Sequence, residues 1–109
     1  MAIAYKVLGQ SAPSATTATD VYTVPASTQV VNSSIVIANR GTSATTFRVA
    51  IRPNAATLAN QHYIAYDTPI AANDIIALSL GVTVDSADVI TVYAGNANLS
   101  FNLFGTEIT

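Results

Sequence analysis

At 109 residues and 11.3 kDa, with no cysteine, the chain is the size of one domain and can close a single core without disulfides. Apolar residues make up 50% and charged residues only 9%, which excludes a disordered chain; a net charge of −2 excludes the broad phosphate affinity of a nucleic-acid binder. No run approaches the ~20 apolar residues of a membrane helix, and so sparsely charged a surface implies that much of it is covered in the working state.

The opening "MAIAYKVLGQ" holds too short an apolar run for a signal peptide, so synthesis in the cytoplasm is expected. Residues 3–8 read as a first strand, and "SAPSATTAT" at 11–19 reads as a linker. Residues 1–19 are thus expected to form an arm and linker, ahead of a β-sandwich domain over 20–109. Such an arm either pairs with a neighbouring subunit or folds back on its own domain, and Tyr5 is its candidate contact residue.

From there, β-branched and aromatic residues recur in short runs bounded by Gly, Pro, Asn, Asp or Ser. The runs predict strands near 20–24, 30–38, 45–52, 62–67, 74–80, 88–94 and 98–104. With the first strand that makes about eight, and the expected fold is all-β: an antiparallel, jelly-roll-like sandwich. In "TFRVAIR" Phe47, Val49 and Ile51 alternate with Arg48, Ala50 and Arg52, and "NLSFNLF" opposes Leu99, Phe101 and Leu103 to Asn98, Ser100 and Asn102. "DIIALSL" is apolar on both faces, as a central strand or one covered by a neighbouring subunit would be. "PNAATLANQ" at 53–61 reads as a loop with at most one helical turn. "YTVPASTQVV" and "YDTPIAANDII" echo each other, either as equivalent corners of two half-sandwiches or as independent uses of the same turn chemistry.

Material for chemistry is scarce. His62 is the only histidine and reads as structural, and the acids Asp20, Asp67, Asp74, Asp85, Asp88 and Glu107 fall mostly at strand ends, where aspartate bonds the backbone of its own turn. "DSAD" at 85–88 offers oxygens for calcium but reads first as a turn. No phosphate loop, dinucleotide fingerprint or nucleophile elbow is present, so neither an enzyme nor a metal or cofactor site is expected. A hydrolase built on the aspartates and His62 is the weakest alternative; a carbohydrate-binding sandwich using Tyr5, Tyr22, Tyr63, Tyr66 and Tyr93 is a stronger one.

Three of the four cations lie in "NRGTSATTFRVAIRP": Arg40, Arg48 and Arg52. Arg48 and Arg52 share one strand face about 13 Å apart. The guanidinium fork suits carboxylates, either on a partner chain or within the sandwich at Asp67 or Asp74. Arg40, Arg48, Arg52 and Tyr5 are therefore the candidate partner-interface residues.

Residues 22–109 carry a T-V-P-A start at 23–26, an N-R-G-x-x-A-T-x-F-R-V-A core at 39–50, and a Y-A-x-x-A-N-L-S-F-x-x-F-G-E-like end at 93–107 with Thr106 inserted before the glutamate. In these features the chain resembles small virion proteins of tailed bacteriophages, including those of cyanophages and other aquatic phages. The resemblance implies a β-sandwich without enzymatic activity that is made in the host cytoplasm and resides in the virion. It implies a capsid decoration (cement) protein forming a homo-oligomer, a trimer, against other virion proteins such as the major capsid protein, with neither nucleic acid nor membrane as partner. A tail, baseplate or fibre-associated module is the competing role.

Overall fold

A computed structural model describes residues 1–109, apart from the side chain of Ser33. Nine strands follow one another: β1 (Ile3–Ser11), β2 (Thr19–Thr23), β3 (Gln29–Asn39), β4 (Thr45–Arg52), β5 (Tyr63–Ile70), β6 (Ile75–Leu78), β7 (Val82–Val84), β8 (Val89–Ala94) and β9 (Leu99–Ile108). They form two antiparallel sheets. Sheet one has the order β1-β9-β3-β6, with β7 also on β3, and sheet two has the order β2-β8-β4-β5.

β6 and β7 together act as one interrupted strand, since both pair with the same edge of β3, at Ile35–Ala38 and at Val30–Asn32. Gly81 in the break has φ 58°, a left-handed conformation that glycine adopts without strain. With β6 and β7 counted as one, the first strand pairs with the last, the second with the second-last, and so on inward to the β4–β5 pair. That nested pairing is a jelly roll. The expected strand near 74–80 is thus shorter than "DIIALSL" suggests, and β7 was not foreseen because three residues are too few to stand out from the flanking turns.

The two sheets close on side chains set by strand alternation. Phe47, Val49, Leu99, Phe101 and Leu103 are fully buried, as the period of two requires. Phe47 of β4 meets Phe101 of β9 edge to face, ring centroids 6.4 Å apart, which joins the sheets at the centre. β1 lies in sheet one, paired with β9 of its own chain, and sends Leu8 into the core. The 11–19 segment crosses from sheet one to sheet two, with Pro13 buried and Thr16 N–H donating to Ala94 O at 2.8 Å. Both echo segments make the same move: β2 to β3 and β5 to β6 each cross from sheet two to sheet one, burying Val24 and Ile70. Pro69 sits on the edge strand β5, where a missing N–H costs no ladder bond. β6 is an edge strand rather than a central one; Ile76 and Leu78 turn to the core, and Ile75 on the other face is 66% exposed.

At one end of the sandwich the carboxylate of Glu107 on β9 gathers three strands. Tyr22 Oη on β2 donates to it at 2.5 Å and Lys6 Nζ on β1 at 3.0 Å. The hydrogen bond from Tyr22, then that from Lys6, hold the Glu107 carboxyl below its usual range, while burial first and then the carboxylate hold the Tyr22 phenol well above its own.

Two outcomes follow for the fold. Phe101→Ala empties the junction of the sheets and lowers unfolding free energy by about 3–5 kcal/mol in urea denaturation. Because the Glu107 pKa is depressed on folding, its contribution is complete above the ordinary value of 4.5 and is lost as pH falls below it. Denaturation midpoints measured down that acid range should fall in the native chain, and Glu107→Gln should flatten the slope.

Candidate functional site

The outer face of sheet two carries Arg48, and the local register builds its surroundings. Between the pairs Phe47–Thr68 and Val49–Ala65, two residues of β5, Tyr66 and Asp67, oppose the single Arg48 of β4. This is a β-bulge, with Asp67 at φ 47°, a conformation aspartate tolerates better than most residues. The bulge aims both side chains at the guanidinium. Arg48 Nε donates to Asp67 Oδ1 at 2.6 Å and Nη2 to Oδ2 at 3.3 Å, and the guanidinium lies 4.2 Å from the ring centroids of both Tyr66 and Tyr93. The hydrogen bonds that Arg48 donates to the Asp67 carboxylate hold it charged even more firmly than an ordinary arginine.

Arg52 is also engaged within the chain. Its Nη2 donates to Asp20 Oδ1 at 2.9 Å, its Nε to Thr91 Oγ1 at 3.0 Å and its Nη1 to Ala56 O at 3.0 Å, so one side chain ties β4 to β2, β8 and the following loop. Of the intramolecular partners expected from the sequence, Asp67 takes Arg48, whereas Asp74 takes neither arginine and Asp20 serves Arg52.

Arg40 stands apart from both, at the end of β3 in sheet one. The N-R-G run is built for this corner. Buried Asn39 donates from Nδ2 to Ser43 O and Ala71 O, and its Oδ1 accepts the Gly41 N–H at 2.9 Å. Gly41 lies so close to the Asn98 side chain that a Cβ would collide with it. Held there, Arg40 donates from Nε to Ser100 Oγ at 2.8 Å and from Nη2 to Ala97 O at 3.2 Å. Among the described residues it is the one Lys or Arg side chain in no ion pair, since Lys6, Arg48 and Arg52 each have a carboxylate. The three arginines therefore do not make one cationic patch.

The outer face of sheet one was not legible as a unit from the sequence. Cross-strand partners place Tyr5, Thr106, Val31 and Thr83 in one row across it, and Ser100, Ala38 and Ile75 in another. Among the described residues, none of the strand positions pointing out of this face is charged. Large apolar groups stand up from it, Tyr5 at 84% exposed and Ile75 at 66%, with Ile3, Val7 and Val31 near half. The signal was present in β9, whose outward series Ser100, Asn102, Phe104, Thr106, Ile108 is uncharged, but only strand pairing shows that β1, β3, β6 and β7 continue it.

The five tyrosines divide between surfaces. Tyr63 and Tyr66 meet edge to face at 4.9 Å and, with Asn60, line a shallow depression on the outer side of sheet two. Tyr22 is committed to Glu107, and Tyr5 lies on sheet one. His62 is buried, and its Nδ1 accepts the Ala59 N–H at 3.0 Å, fastening the 59–62 turn. In "DSAD", Asp88 accepts the backbone N–H of Asp85 and of Asn54, and Asp85 that of Ser86, so these oxygens shape a turn. Comparison with models of protein families, with curated proteins and with solved structures gives no match.

The Arg48 cluster sets a specific expectation. Arg48→Lys keeps the charge but loses the fork and the double stacking, so it should cost about 1 kcal/mol in urea denaturation. A double-mutant cycle of Arg48→Ala with Asp67→Ala should give a coupling of about 0.5–1 kcal/mol, as a half-exposed pair allows.

Proposed function

We propose that this chain is a non-enzymatic structural protein of a tailed-phage virion, a capsid decoration protein that acts by covering and being covered. The observation that carries the reading is the uncharged outer face of sheet one, whose exposed Tyr5, Val31 and Ile75 are hydrated at a cost unless another surface lies on them. The sparse charge of the whole chain and the resemblance of residues 22–109 to virion proteins support the same reading. A jelly roll by itself does not, since the fold hosts many functions. In this role the protein is a homo-oligomer on the virion, against the major capsid protein. A tail or baseplate position requires the same kind of covered face and is the nearest alternative.

One observation favours a second reading. The depression at Asn60, Tyr63 and Tyr66 combines ring faces with an amide, the pairing by which protein surfaces hold sugar rings. A glycan array reads this directly: binding that Tyr66→Ala removes would support it, and an empty array would discard it.

The primary test is cryo-electron microscopy of purified particles of the phage encoding this chain. The expected result is density for the two-sheet sandwich outside the shell at lattice junctions. Density in the tail would reassign the position, and absence of the chain from particles would overturn the virion reading.

A further inference from the structure

Two features stand out on sheet one: its uncharged, partly apolar outer face, and at the corner of that face Arg40, which among the described residues forms hydrogen bonds but no ion pair. We infer that a second copy of this chain covers that face, with the strands of the two copies antiparallel, so that Arg40 of each copy meets Asp85 of the other. The inference rests on the reading that this face is covered in the working state, and it adds what covers it.

The face has the size for such a pair. Four strand positions at ~4.8 Å spacing and a ten-residue β9 at ~3.4 Å per residue give a footprint of roughly 650 Å² before side-chain relief is counted. A standard stable interface takes about 800 Å² from each partner.

Charge then selects the orientation. Arg40 follows the last residue of β3, and its Nε reaches Ser100 on the face. Asp85 follows β7, whose Val84 pairs with Val30 near the first residue of β3, and there it lines a shallow depression with Gln29, Val31, Thr83 and Ile108. Arg40 and Asp85 thus lie at opposite ends of an 11-residue strand, about 35 Å apart. Asp85 forms no ion pair among the described residues. A two-fold axis across the strands brings each arginine over the partner's aspartate, twice by symmetry. An axis along the strands would stack like charges at both ends, which is disfavoured. The face between the two ends is neutral and repels nothing.

The experiment is sedimentation equilibrium on the purified full chain, with far-UV circular dichroism and melting temperature as folding controls. The expected species has twice the 11.3 kDa chain mass. Val36→Asp, at an outward, partly exposed position well along β3 from either end, should give a folded monomer. Arg40→Glu and Asp85→Arg should each raise the dimer Kd at least about tenfold, and the combined charge swap should bring it back to within about threefold of the native value. A native monomer, a trimer, or a dimer indifferent to Val36→Asp would overturn the inference. A dimer whose charge swap fails to rescue would overturn the antiparallel orientation. The virion reading fails separately: a solution dimer with no copy on particles overturns that reading alone, and a particle-bound chain that is monomeric in solution overturns this inference alone.

Discussion

The position of β9 between β1 and β3 is the constraint on which the rest of the molecule depends. The last strand of the chain must insert between the first and the third, and sheet one is closed by that insertion. It delivers Phe101 to Phe47, places Glu107 within reach of Lys6 and Tyr22, and sets Ser100 where Arg40 can bond it. Gly105 is part of the same fit, because a Cβ there would collide with Val31 O on the neighbouring strand. Pairings of such long sequence separation are slow to form, since loop closure precedes any gain from contact.

The two outer faces of the sandwich handle polarity in opposite ways. On sheet two, charges are matched inside the chain: Arg48 with Asp67 between two tyrosines, Arg52 with Asp20 and Thr91. Ion pairs of this exposure add little stability each, but they leave Arg48 and Arg52 both matched within the chain. On sheet one, the chain places uncharged groups, several of them large and apolar, and keeps at the rim Arg40, which among the described residues forms no ion pair. The sandwich thus matches its charges on one face and gathers uncharged, partly apolar groups on the other.

The arginines mark the boundary of what a linear reading reaches. Alternation in "TFRVAIR" correctly put Arg48 and Arg52 on one outward face, because strand periodicity is a local property. Spacing could not show that the β5 bulge turns Tyr66 and Asp67 together onto Arg48, since a bulge depends on register between strands. Nor could proximity in sequence show that Arg40 belongs to the other sheet: the turn after Asn39 carries the chain across the sandwich within a few residues. "DIIALSL" left two settings open, a central strand or one covered by a neighbouring subunit, and the place of β6 at the edge of sheet one removes the first.

From the sequence alone came the class of the fold, the approximate number and position of the strands, the inward sets of β4 and β9, of which only Ile51 is less than fully buried, and the structural setting of His62. These follow from short-range alternation, turn residues and composition, each written in consecutive positions. The tertiary structure alone decided the nested strand order, the splitting of one strand at Gly81, the partners of each arginine and the existence of a continuous uncharged face. Those properties arise between residues far apart in the chain, through hydrogen-bond register and the alignment of several strands, and no window of consecutive residues contains them.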